Sequence, residues 1–126
     1  MSHFSTIKTK FKDEDILLKA LRVLQYPACI DQTLINPVNH VHEEVEVQIA
    51  VGNKIGFKWN GDEYELVAEL DAWDLDVPVQ RFIDKISQQY AEELVVDAAS
   101  KEGFQLENKS RNDGTVTISV GRWVDN

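Results

Sequence analysis

The chain is poor in cysteine, proline, glycine and positive charge, and it has no long apolar run. One cysteine, Cys29, stands among 126 residues. No internal disulfide framework is therefore available, and such usage suits a reducing compartment. Three prolines and six glycines exclude a collagen-like or linker-rich chain. No stretch of about 18 apolar residues occurs, so the length rule predicts no membrane-spanning helix. The opening Met1-Ser2-His3-Phe4 lacks the charged and apolar regions of a signal peptide. Lys and Arg total 13 against 22 Asp and Glu, a formal charge of −9 with His neutral. Binding nucleic acid through its phosphates needs a basic footprint, and this balance argues against it. There is no glycine-rich phosphate loop and no nucleophile elbow.

What remains is a foldable chain. Apolar residues make up 43% and charged residues 28%, the signature of a globular protein. The length fits a single domain, residues 1–126. Residues 5–11 are rich in β-branched side chains and predict a first strand. Asp13-Glu14-Asp15 caps a helix over about 13–25 with Ile16, Leu17, Ala20, Leu21 and Leu24 at helical spacing, and Pro27 ends it. Residues 28–42 are weakly patterned; Cys29-Ile30 and Thr33-Leu34-Ile35 allow a short strand before the turn signal Asn36-Pro37. In 44–51, Val45, Val47, Ile49 and Val51 alternate with Glu44, Glu46 and Gln48 and predict a strand with one buried face.

Residues 54–70 read as a hairpin around Asn60-Gly61-Asp62. A Gly61-Asp62 loop pairs Trp59 with Tyr64 and Phe57 with Leu66; an Asn60-Gly61 loop pairs Phe57 with Tyr64. Both put Ile55, Phe57 and Leu66 on one face. Pro78 suits the first turn of a long helix over 79–101, with an apolar stripe of Phe82, Ile83, Ile86, Tyr90, Leu94, Val95 and Ala98, ended by Gly103. The tail predicts a second hairpin. Parity places Leu106 opposite Val120 through a three-residue loop, Asn112-Asp113-Gly114. The sum is an α+β fold: an antiparallel sheet of about five to seven strands with two helices on one face, a split βαβ arrangement with extra hairpins.

Several segments resemble a known family. They are Met1-Ser2-His3-Phe4-Ser5-Thr6-Ile7-Lys8-Thr9, Ile55-Gly56-Phe57-Lys58-Trp59 with Tyr64-Glu65-Leu66-Val67-Ala68, Ser87-Gln88-Gln89-Tyr90-Ala91, and the stretch from Glu102-Gly103-Phe104 to Arg122-Trp123. They are similar to the hypothetical chloroplast reading frame thirty-five family, a cyanobacterial and plastid domain of unknown function. The likeness spans nearly the whole chain except about 27–53. It implies a cyanobacterial, plastid or phage source, hence a cytoplasmic or stromal location and a photosynthetic setting. It brings no catalytic or binding residues. Asn36 to Glu44 departs from the more basic stretch of relatives.

Chemistry is sparse. His40, His42, Glu44 and Glu46 share a face if the strand starts early. Same-face neighbours lie roughly 6.5–7 Å apart, a spacing that lets two imidazoles and a carboxylate converge on a divalent metal. The simpler reading is a solvated outer face. Cys29 has no partner base and reads as a small buried hydrophobe, and His3 as a frayed terminal residue. Phe57, Trp59 and Tyr64 share the hairpin face and read as core rather than base-stacking platforms; Trp73 and Trp123 are less constrained. Trp73, set among Asp71, Asp74 and Asp76, reads either as an anchor for a protein partner or as a lid over the sheet end. No carboxylate pair is marked out for acid–base catalysis, and no cofactor motif is legible.

The charge is uneven. Residues 1–39 carry +1, residues 40–76 carry −8 and residues 77–126 carry −2. The sequence thus favours a non-catalytic binding, assembly or regulatory module that meets a protein partner through the acidic 40–76 surface. Pairing of hairpin edges between copies would give a homodimer. The alternative is a small metal-dependent protein using His40, His42 and Glu44. It predicts stoichiometric metal in protein purified without a histidine tag, lost in His40→Ala/His42→Ala. Metal-free protein whose melting is unmoved by added zinc excludes it.

Overall fold

A computed structural model describes residues 4–35, 40, 42–49, 55–73, 75, 77–112 and 115–122. Among them the order is β1 (Ser5–Lys8), α1 (Glu14–Val23), β2 (Ala28–Ile35), β3 (His42–Ile49), β4 (Ile55–Trp59), β5 (Tyr64–Ala68), a 3-10 turn (Leu70–Ala72), α2 (Val79–Lys101), β6 (Phe104–Asn112) and β7 (Thr115–Arg122). Five strands form one sheet in the order β1-β5-β4-β3-β2, while β6 and β7 form a separate two-stranded sheet. Every neighbouring pair is antiparallel. It follows that β1 and β2 run parallel at opposite edges, joined by α1, with three strands between them. This is the expected split βαβ unit.

Local chemistry sets the elements. Asp13 caps α1, its carboxylate accepting from the Ile16 amide at 3.1 Å. In the β4–β5 turn, the Asn60 side-chain oxygen accepts from the amides of Asp62 and Glu63, and the Asn60 amide donates to the Glu63 carbonyl. Gly61 supplies the left-handed residue at φ 101. The register is therefore Trp59↔Tyr64, Lys58↔Glu65 and Phe57↔Leu66, the Gly61-Asp62 form of the two.

The core lies on one face of the large sheet. Val47, Ile49, Ile55, Phe57, Leu66 and Ala68 meet Ile16, Leu17, Ala20 and Leu21 of α1 and Phe82, Ile83 and Ile86 of α2. Phe11 lies between these layers, with ring centroids 4.9 Å from Tyr90 and 6.0 Å from Phe57. The Tyr90 hydroxyl accepts the amides of Lys12 and Asp13, each at 3.0 Å. That pins the β1–α1 connection to α2. The Tyr64 amide donates to the Phe11 carbonyl at 2.7 Å, and its hydroxyl donates to Glu14 at 3.1 Å.

Four expectations are corrected. Val45 does not share the face of Val47 and Ile49; it joins Leu34, Val67 and Phe4 in a second cluster. The alternation breaks opposite Asp31, which adopts φ 52 between the pairs Ile30↔Val47 and Gln32↔Val45. The apolar stripe of α2 is buried only in its first half, and Leu94 and Val95 are 42% and 48% exposed. A 23-residue helix is about 35 Å long, longer than the eight-residue strands of the large sheet, which are about 26 Å. Its far half meets the β6–β7 hairpin instead. Lys109 of β6 pairs with the buried Glu92, and Gln89 is buried too. In the tail, Leu106 does pair with Val120, but Asn112 pairs with Thr115 and the register shifts between Leu106 and Asn108. That shift is a β-bulge or irregularity in the ladder; Asp113 and Gly114 lie outside the described residues. Finally, Cys29 is exposed, because β2 is an edge strand whose only fully buried side chain is Leu34.

Two measurements check the packing. A Cβ at Gly56 would lie 2.7 Å from Val45 Cγ2 and 2.9 Å from the Val47 carbonyl oxygen. Gly56→Ala is expected to cost about 1–3 kcal/mol in denaturant unfolding by overpacking. Burial, with the bond to Glu14, raises the Tyr64 pKa well above its ordinary value. An unfolded tyrosine ionises near pH 10. The stability this gives is complete below about pH 10 and is lost as pH climbs toward the folded pKa. In a spectrophotometric titration the Tyr64 phenolate is expected only with alkaline unfolding, and Tyr64→Phe removes that component.

Candidate functional site

The sheet face opposite the helices has a buried apolar band and a charged remainder. Phe4, Val67, Val45 and Leu34 make the band, with Gly56 between Val67 and Val45. Beside it stand Glu43, Glu44 and Glu46 of β3, Lys58 of β4 and Glu65 of β5. Antiparallel register sets Lys58 beside Glu65.

Lys58 is the centre of this array. Its ammonium donates to Glu43. That hydrogen bond raises the Lys58 pKa above 10.5; slight desolvation opposes it, and the charges of Glu43, Glu46 and Glu44 add to it. Glu46 accepts the Trp59 backbone amide at 2.7 Å, and Glu65 accepts from the Asn60 side-chain amide at 2.7 Å. Trp59 stays 37% exposed, its ring edge-on to Tyr64 at 5.0 Å.

Two clefts flank Lys58. One, of about 360 Å³, is lined by Asp31, Gln32, Thr33, Glu44, Val45 and Glu46 together with Lys58. The other, of about 230 Å³, is bounded by Thr6, Glu43, Trp59, Asn60, Glu65 and Val67. The first is a concave acidic surface. A hydrogen-bonding cation such as a lysine or arginine side chain suits such a lining.

The residues singled out in the sequence are distributed as follows. His42 begins β3 opposite Ile35, and His40 has left-handed backbone at φ 59; the strand does not extend back to it. Among the described residues, no group of three or more His, Cys, Asp or Glu side chains is placed to hold a metal ion. Glu44 lines the acidic cleft. Trp73 is half-buried against Phe82, with ring centroids 5.3 Å apart, and its indole N–H donates to the Val77 carbonyl at 2.7 Å. Asp71 is exposed at the 3-10 turn. Asp74, Asp76, His3, Val51 and Trp123 lie outside the described residues.

Sequence reasoning missed a further cavity. About 720 Å³ opens between the β1–α1 connection and α2, its lining including Phe11, Ile83, Tyr90 and Leu94 together with Lys8 and Asp84. Its walls lie some 70 residues apart in the chain, so no local pattern announces it. Asp31 was missed for another reason: its left-handed backbone gives no signal in a strand pattern.

Fold and surface together define an α+β protein with a charged sheet face and no legible catalytic centre among the described residues. The chain belongs to the family described as protein of unknown function (DUF1257), whose model matches residues 20–119. It is similar to the uncharacterized protein ycf35 of Pyropia yezoensis and to that of Guillardia theta, each 33% identical over 98% of both chains. The ycf35 protein of Cyanophora paradoxa is 31% identical over the same share. No solved structure matches the chain. No helix among the described residues is long and apolar enough to cross a membrane.

The Lys58 cluster makes a measurable prediction. Glu43→Gln is expected to bring the Lys58 pKa back toward 10.5 in an NMR titration of the ammonium. The Lys58 side chain is 47% exposed, so solvent screening holds the stability change to about 1 kcal/mol or less. That contribution is complete below the ordinary lysine pKa and disappears as pH rises through the raised one.

Proposed function

We propose that the chain is a non-catalytic binding module whose acidic sheet face receives a basic segment of a partner protein. The observation that carries this is the cleft beside Lys58, where Asp31, Glu44 and Glu46 from two adjacent strands share one concave lining. Lys58, the cation there, is already bound to Glu43, so the surface keeps an excess of negative charge. The unevenness of charge supports the same reading, since residues 40–76 hold −8 of the total −9.

The setting we assign is the cyanobacterial cytoplasm or the plastid stroma, with a role in assembly or regulation of the photosynthetic apparatus. The organisms of the relatives support that setting. The experiment is a tagged pull-down from native lysate with mass spectrometry, run for the wild type and for Asp31→Asn/Glu44→Gln/Glu46→Gln. A protein retained by the wild type, lost from the triple variant and released by salt is the expected result. Identical retention by both proteins refutes the acidic face as the contact surface.

A further inference from the structure

The two edges of the large sheet are unlike. The β1 edge is four residues long and carries Lys8. A short strand with lysine is a common way of protecting an edge against unwanted pairing. The β2 edge is eight residues long, Ala-Cys-Ile-Asp-Gln-Thr-Leu-Ile, with neither lysine nor proline. It pairs only with β3 among the described residues. Ile30 and Ile35 on it are 50% and 39% exposed. A strand of this kind presents backbone donors and acceptors to a further strand.

The acidic cleft adjoins this edge. Asp31, Gln32 and Thr33 of β2 form part of its lining, and Glu44 lies opposite Thr33 in the ladder. From Gln32 to Ile35 the register with His42–Val45 is unbroken, whereas Asp31 is left-handed. The pairing-competent stretch is thus Gln32–Ile35, next to the carboxylates.

We infer that β2 accepts a sixth strand, an extended basic segment of a partner protein, with alternate lysine or arginine side chains falling over the cleft. This rests on the reading of the acidic face as a partner surface and gives that reading a geometry. Backbone bonds along Gln32–Ile35 supply the binding, and side chains about 6.5–7 Å apart on one face of the incoming strand reach Glu44 and Asp31. A second copy of this chain fits the same edge poorly. Pairing β2 with β2 juxtaposes two clusters of Asp31, Glu44 and Glu46, and like charges across a ladder are destabilising.

The test uses the full chain and a nine-residue peptide of alternating lysine and threonine, beside the same peptide methylated on every backbone nitrogen. The methylated form keeps all its charges and cannot donate to an edge. Calorimetry at low salt gives the affinities, and amide hydrogen exchange reports on β2. The expected result is at least tenfold weaker binding of the methylated peptide, with slowed exchange at Gln32–Ile35 only in the presence of the unmethylated one. Asp31→Asn/Glu44→Gln is expected to weaken the unmethylated peptide at least tenfold as well. Equal binding of both peptides with no protection of β2 overturns strand addition and leaves charge-driven docking standing. Binding of neither peptide overturns both readings. A dimer in sedimentation velocity, with β2 protected before any peptide is added, overturns the inference in favour of a second copy on the edge.

Discussion

The register of the β4–β5 hairpin is the constraint on which the fold rests. Those two strands occupy the middle of the sheet, and both outer pairs are built on them. A one-residue slip would move Phe57 and Leu66 out of the core and turn Lys58 and Glu65 inward. The Asn60 side-chain oxygen prevents it by accepting from two amides of the turn, while the Asn60 backbone amide donates to the Glu63 carbonyl. The same register delivers Lys58 to Glu43 on one face and Phe57 to Phe11 on the other. Core and candidate site are two sides of one local arrangement.

Much of this was legible where one physical signal dominated. The bounds of α2 coincide with the 79–101 read from Pro78 and Gly103, because a proline start and a glycine stop are local effects. Asp13 and the Asn60 turn are also local, and both behave as their neighbours in the chain dictate. Legibility falls where a distant segment decides. Leu94 and Val95 have the spacing of core residues, yet nothing among the described residues covers them fully, since the helix outlasts the sheet. Gln89 and Glu92 look like solvent-facing positions, yet both are buried, Glu92 paired with Lys109 of the tail hairpin. Whether a helical position is covered depends on elements packed later, which periodicity does not encode.

The site divides in the same manner. Concentration of acid in residues 40–76 is visible by counting, and Glu44 of the cleft lies within that segment. Asp31 belongs to the same cleft from outside that segment, brought there by the β2–β3 ladder. The histidine pair depended on strand alternation continuing past His42, and the left-handed backbone at His40 ends that continuity. Sequence alternation assumes uniform extended backbone. Single residues at positive φ, such as Asp31 and His40, are where the assumption fails, and both stand near the site.

The split βαβ arrangement has a consequence for how the chain acquires its structure. Strands β2 to β5 follow one another through short connections, so each pairs with a neighbour made just before it. Strand β1 is different: Ser5 must find Ala68, roughly sixty residues away. Closing so large a loop costs conformational entropy before any contact repays it. The meander can therefore form first, leaving β5 with an open flank until β1 arrives. In a chain still emerging from the ribosome, the first strand of the large sheet to be synthesised is the last of its five that can take its place, and its hydrophobic residue Ile7 waits unburied until β5 is made.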